Sequence, residues 1–225
     1  MGKFILCLIL FFISSMMSFA SDEMCQMASL VPISKSVEPV FSKSGNIYYI
    51  DNNGRTIQIT REANDSSPVL SPDKKTIAFV RVGNQVIPDS CDMDAKYGNE
   101  IWIYSFSTKK EKRLVENNFE CDKPKKQILD PHDLFFSPDS KVVYFLTAAW
   151  VTSGAIHAAD INGKRVRFVT DGNEFHIVQS GLYKGDLIVN QHRYRFKGDT
   201  PLGSYDWDWL FTPTGKQIKL YKKVN

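Results

Sequence analysis

Two short segments of this 225-residue chain concentrate imidazoles and carboxylates. Asp130-Pro131-His132-Asp133 and Asn173-Glu174-Phe175-His176 each set a histidine among acidic and amide side chains. Donors of these types converging from two segments can hold one divalent cation, with His132 and His176 as ligands. The plainer role of such residues at the head of a strand is to satisfy backbone donors, as Asx turns do; Asn64-Asp65-Ser66 suits that role too. A third cluster joins His192 and Arg193 to Gln191, Arg195 and Lys197. Its guanidinium groups can fork onto a carboxylate or sulfate, or end a strand in solvent. Tyr205, Trp207 and Trp209 alternate with Asp206 and Asp208. That spacing puts three rings on one side of a strand, for packing between sheets or for stacking on a sugar or peptide.

The covalent chemistries leave no trace. There is no Gly-x-Ser-x-Gly elbow, phosphate-cradling glycine loop or dinucleotide fingerprint, and no cysteine motif of an activated thiolate. The expectation is a non-enzymatic protein with no catalytic residue. It needs no cofactor, unless one divalent metal ion sits at His132 and His176. Lys and Arg number 28 against 25 Asp and Glu, a net charge of +3. This balance argues against a nucleic-acid partner, which calls for a basic stripe.

Residues 1–20 read as a cleavable signal peptide. Lys3 precedes an apolar run over 4–13, and Ser18-Phe19-Ala20 ends in small residues, so cleavage is expected after Ala20. The run is too short to span a bilayer. Cleavage would release a periplasmic or secreted protein that does not span the membrane. Residues 21–38 then form an N-terminal arm. Export permits disulfides. Cys7 leaves with the signal, so Cys25, Cys91 and Cys121 can form at most one internal pair. The spacing of these cysteines and histidines is not that of a zinc site.

From 39 to 225 the pattern is all-β. Short apolar runs at 46–50, 76–80, 100–104, 141–145, 165–169 and 186–189 alternate with polar residues and are bounded by Gly, Pro, Asp and Asn. They imply about fourteen strands. Ser71-Pro72-Asp73 and Ser137-Pro138-Asp139 each precede an apolar strand, and closing strands end near 60, 115 and 170. A repeat of this length with four short strands per unit is the signature of a β-propeller. The length holds about four blades of four antiparallel strands. The first unit is short, a hairpin to which residues 30–42 can add a strand. The ring closes within one chain, or stays an open arc that closes by oligomerising.

Ser67-Pro68-Val69-Leu70-Ser71-Pro72-Asp73 and the strands from there through Val115 resemble the WD40-like PD40 repeat of TolB-type β-propellers. The unit around Asp139 is a second match, and the first and last units are degenerate. TolB proteins carry an α/β domain ahead of the propeller. The span here leaves no room for one, so a role in the Tol–Pal envelope system does not carry over. Some related propellers, the oligogalacturonate lyases among them, bind metal, which is what the resemblance adds to the His132 and His176 reading.

Blade topology then sorts the loops. The turn after a second strand and the link to the next blade emerge at one end, the top. Both long insertions, 81–99 and 116–130, fall there, and long loops on a rigid scaffold carry function. They bring Cys91 and Cys121 to the same end, which favours that pair over two free thiols. Asp130, His132, Asp133, Asn173 and His176 enter at the top of the channel, and His192 and Arg193 lie toward the same face. The functional expectation is a scaffold that binds an envelope or periplasmic protein through these loops. A metal-dependent, carbohydrate-binding or carbohydrate-acting propeller is the alternative.

Overall fold

The computed structural model describes residues 39–91 and 93–223. The signal peptide, the arm and Cys25 lie outside the described residues. The fold is all-β, in four antiparallel sheets. Sheet 1 holds β1 (Val40–Lys43), β2 (Asn46–Ile50) and β3 (Thr56–Gln58). Sheet 2 holds β4 (Asp65–Leu70), β5 (Thr76–Val86), β6 (Tyr97–Ser105) and β7 (Lys110–Val115). Sheet 3 holds β8 (His132–Phe136), β9 (Val142–Thr147), β10 (Gly154–Asp160) and β11 (Val166–Gly172). Sheet 4 holds β12 (Glu174–Ile177), β13 (Leu187–Lys197), β14 (Thr200–Phe211) and β15 (Gln217–Lys223). Within each sheet every strand pairs with its neighbour in sequence, so each is a blade-like meander. Among the described residues no helix is long and apolar enough to cross a membrane.

The Ser-Pro-Asp turns show why the repeat exists. The Ser71 hydroxyl donates to Asp73 Oδ1 at 2.7 Å and accepts from the backbone N–H of Thr76 at 3.0 Å. The Lys74 N–H closes the turn onto the Ser71 carbonyl, and Lys74 takes a positive φ. Ser137, Asp139, Ser140 and Val142 repeat the arrangement in sheet 3. The turn thus satisfies donors that would otherwise be orphaned as one strand reverses into the next. The serine hydroxyl in each turn holds the Asp73 or Asp139 carboxyl below the usual carboxylate range.

The core lies between the sheets. Val40, Ile47 and Ile59 pack on Ile77 and Phe79, joining sheets 1 and 2. Ala78, Val80, Ile101 and Leu114 meet Leu134, Phe136, Val143 and Phe145, joining sheets 2 and 3. Tyr144, Leu146 and Ile156 meet Phe175, Leu187, Val189 and Phe211, joining sheets 3 and 4. The central strands have both faces covered, so they read as apolar runs rather than as strict alternation. These clusters join the four sheets in series, 1 to 2, 2 to 3 and 3 to 4. Gly215, in the turn between β14 and β15, lies against sheet 3. Its φ is +86°, and a side chain there would run into the Val169 carbonyl of sheet 3.

Among the described residues there are fifteen strands, and β1 supplies the third strand expected of the short first unit. Two boundaries differ from the sequence reading. Part of the expected loop 81–99 is strand: β5 runs to Val86, and Val82 and Val86 pair with Asn99 and Tyr97 around a bulge. The run at 186–189 continues to Lys197, because every residue of β13 finds a partner on β14.

Candidate functional site

The two insertions after β5 and β7 meet at the same end of the strands of sheet 2. Cys91 and Cys121 form a disulfide, with Cα atoms 5.3 Å apart and a sequence separation of 30. Beside it the Asn99 Nδ2 donates to Asp130 Oδ1 at 3.0 Å, and the Ile87 N–H donates to the Lys96 carbonyl at 3.0 Å. A β-bridge between Asn118 and Ile128 folds the second insertion into a compact loop. The Asn118 Nδ2 adds a 2.9 Å bond to the Lys126 carbonyl. Gly98 lets this loop cross β6, since a Cβ there would lie 2.7 Å from the Phe119 ring. Two long loops are thereby made into one braced unit. It leaves Val86 59% and Tyr97 40% exposed. A cavity of about 460 Å³ opens between Ile87, Met93, Tyr97, Asn99 and Asp130.

The histidine clusters resolve differently. His132 heads β8, and its Nδ1 donates to the Asp130 carbonyl at 2.7 Å. Asp130 and Asp133 both adopt positive φ, at 49° and 50°, around the bulge that opens β8. His176 Nε2 lies 3.2 Å from Glu174 Oε1, two residues away on the same strand face. Asn173 ties down the loop before β10: its Nδ2 donates to the Thr152 carbonyl, and its Oδ1 accepts from the Gly154 N–H. His132 and His176 are thus each engaged within their own turn or strand. Among the described residues no three His, Cys, Asp or Glu side chains gather as a metal site. Strand alternation puts His176 on the face of sheet 4 that also carries Asn190, His192, Asp206 and Asp208. There Glu174, His176, Ile188, Asn190 and Asp208 line a small cavity of about 90 Å³. His192 Nδ1 donates to Asp206 Oδ1 at 2.9 Å.

Arg193 points to the opposite face of β13. Its guanidinium lies 3.8 Å from the centroid of Trp209 and donates to the side-chain oxygens of Gln191 and Gln217. Arg195 lies 5.2 Å over Tyr205, and Lys223 lies 4.9 Å over Trp207. The three alternating rings therefore form a ladder with three cations, Trp209 at its buried end against the core. Stacking of this kind contributes roughly 0.5–2 kcal/mol per contact, depending on burial.

Two buried polar features are not given by the spacing. Arg81 of β5 is nearly buried and donates to Asp65 Oδ1 at 2.5 Å, to Asp65 Oδ2 at 2.8 Å and to Glu111 Oε2 at 2.8 Å. Burial opposes its charge, but the bonds to Asp65 and Glu111 outweigh that and raise its pKa. His157 of β10 is 1% exposed between the rings of Phe145 and Phe168, and burial lowers its pKa to about 4. Only an imidazole in an otherwise apolar strand marks the second. Nothing local marks the first.

The sequence matches no protein-family model and no curated protein. Solved structures do match in fold. Dipeptidyl peptidase 4 from Porphyromonas gingivalis superposes with a TM-score of 0.56 at 10% identity, over 83% of this chain and 31% of that one. The β-propeller domain of the Trilobed protease from Pyrococcus furiosus gives 0.50 at 16% identity, over 80% and 50%. TolB from Acinetobacter baumannii gives 0.48 at 17%, over 84% and 44%. The chain thus spans between about a third and a half of the length of these proteins. At such identities the likeness shows the fold alone, and that fold is a β-propeller.

Proposed function

We propose that the chain is an exported, non-catalytic propeller module of the TolB type that takes a protein partner on its braced end. The observation that carries this is the disulfide between the two longest insertions. It turns loops that would otherwise be mobile into a preorganised surface, which lowers the ordering cost of binding. Val86 and Tyr97 offer apolar anchors beside a cavity whose lining mixes Ile87 and Met93 with Asp94, Asn99 and Asp130. The disulfide and the signal-like residues 1–20 both support the periplasm or another oxidising compartment. The PD40-like turns support the TolB-type reading.

The test is retention of an envelope protein by the immobilised mature chain, compared across three versions. Parent protein and Thr108→Glu, altered at the opposite end, should retain the same partner. Val86→Glu/Tyr97→Glu should lose it while melting within a few degrees of the parent. Equal retention by all three would refute the reading.

A further inference from the structure

A cavity of about 400 Å³ lies between sheets 3 and 4. It opens where the β8–β9 turn faces the β12–β13 and β14–β15 turns, represented by Pro138, Gly185 and Pro213. The Asp73 N–H donates to the Ser140 hydroxyl at 3.1 Å, so the β8–β9 turn sits beside the β4–β5 turn. That is the end of the strands opposite the disulfide. Pro138, Val142 and Pro213 give the cavity apolar walls, and Tyr144 and Arg167 line it together. The volume lies in the range of small-molecule sites.

The two polar groups on this lining are both donors. Tyr144 is held in the core between sheets 3 and 4, and the little surface it keeps borders the cavity. Its hydroxyl oxygen accepts from the Arg167 guanidinium, which leaves the O–H itself without an acceptor among the described residues. Burial pushes the phenol pKa up, so the proton stays on the oxygen. Arg167 is half-buried and gives one N–H to the Pro213 carbonyl at 3.2 Å. Arg81 and Arg113 each hold carboxylates, but among the described residues Arg167 holds none. The one acid on the lining, Asp139, is taken up by its own turn. Its Oδ1 accepts from the Ser137 hydroxyl at 2.6 Å and from the Lys141 N–H at 3.2 Å. A guanidinium and a buried O–H that border one space, with no acceptor to meet them, complement a carboxylate. The walls around them complement an apolar chain.

We propose that this cavity binds a small monocarboxylate with an apolar tail. The carboxylate accepts from the Tyr144 hydroxyl and the Arg167 guanidinium, and the tail lies on Pro138, Val142 and Pro213. Both bonds are to a charged acceptor, and that of Arg167 joins opposite charges, so they are the strong kind. The exposed Lys184 at the rim adds a positive charge that favours entry of an anion. The site stands independently of the disulfide-braced surface.

The probes are hexanoate, acetate and 1-hexanol, titrated into the oxidised mature chain by calorimetry, with tyrosine ¹³Cζ signals followed by NMR. The expected result is that hexanoate binds about tenfold more tightly than acetate or hexanol. It should shift the one signal that is missing from Tyr144→Phe. That variant keeps the ring and its packing and removes only the donor. It should bring hexanoate to within about threefold of hexanol and leave hexanol unchanged. Arg167→Gln should do the same. Val86→Glu/Tyr97→Glu, at the braced end, should bind hexanoate as the parent does. Equal affinities for the three probes, a preference that survives both Tyr144→Phe and Arg167→Gln, or no hexanoate binding at about 10 mM would each overturn the proposal.

Discussion

Sheets 2 and 4 contain the same device in two settings. In each, an arginine on the second strand lies over a tryptophan on the third: Arg81 over Trp102 at 4.6 Å, and Arg193 over Trp209 at 3.8 Å. Arg81 is nearly buried and satisfied by two carboxylates, Asp65 and Glu111. Arg193 is half-buried and satisfied by two amide oxygens, from Gln191 and Gln217. The geometry is shared, and the counter-charge separates the two. A charge buried with carboxylates cannot lose its partner cheaply, whereas a charge among amides at the edge of solvent can be rearranged. The hairpin of sheet 2 is further bound to the next loop by a disulfide, and that of sheet 4 by stacked rings and cations alone. The hairpin of sheet 2 is locked, and that of sheet 4 is held by contacts that can be exchanged.

The largest expected effect comes from breaking the locked member. Arg81→Met should cost about 3–5 kcal/mol, because it strands the buried Asp65 carboxylate, and urea unfolding reads it directly. Arg193→Met should cost about 1 kcal/mol in the same assay, since it strands no charge. Comparable losses would mean that the counter-charge is not what separates the two sheets. Next in size is the staple. Cys91→Ser/Cys121→Ser should lose about 3–4 kcal/mol through the entropy of the reopened loop, and reductant should have no further effect on that variant's melting curve.

The seam between sheets 2 and 3 offers a third test. The folded-state pKa of His157 is about 4, below the ordinary histidine value of 6.5. Between those values the unfolded chain takes up a proton that the folded chain refuses. Stability therefore falls as pH drops from 6.5 toward 4, by up to about 3 kcal/mol, and this contribution levels off below. The difference between parent and His157→Phe across that window isolates it from the carboxylates. The smallest effect belongs to the exposed ladder. Arg195→Ala should change stability by less than about 1 kcal/mol, visible as a small shift in midpoint.

The repeat was legible because its signals are local. Ser71-Pro72-Asp73 and Ser137-Pro138-Asp139 carry their turn chemistry within five residues, and the four sheets and their order follow from them. The Cys91–Cys121 pair was legible because blade topology alone brings those two loops to one end. Pairings that depend on how sheets pack against each other were not. His132 and His176 look like a converging pair by their equivalent positions, yet each turns to a neighbour two residues away. The Arg81–Asp65–Glu111 trio joins three strands that nothing in the spacing connects. Strand length was misjudged wherever polar residues continued a ladder, as from Asn190 to Lys197, because pairing rather than hydropathy sets the end of such a strand.

The functional reading rests on a protein partner meeting the disulfide-braced end. Photocrosslinking in intact cells decides it, with a benzophenone side chain placed in turn at Val86, at Tyr97 and at Thr108. The expected result is one discrete adduct, shared by Val86 and Tyr97 and absent from Thr108. Adducts from Thr108 alone, or no adduct from either braced-end position, would contradict it.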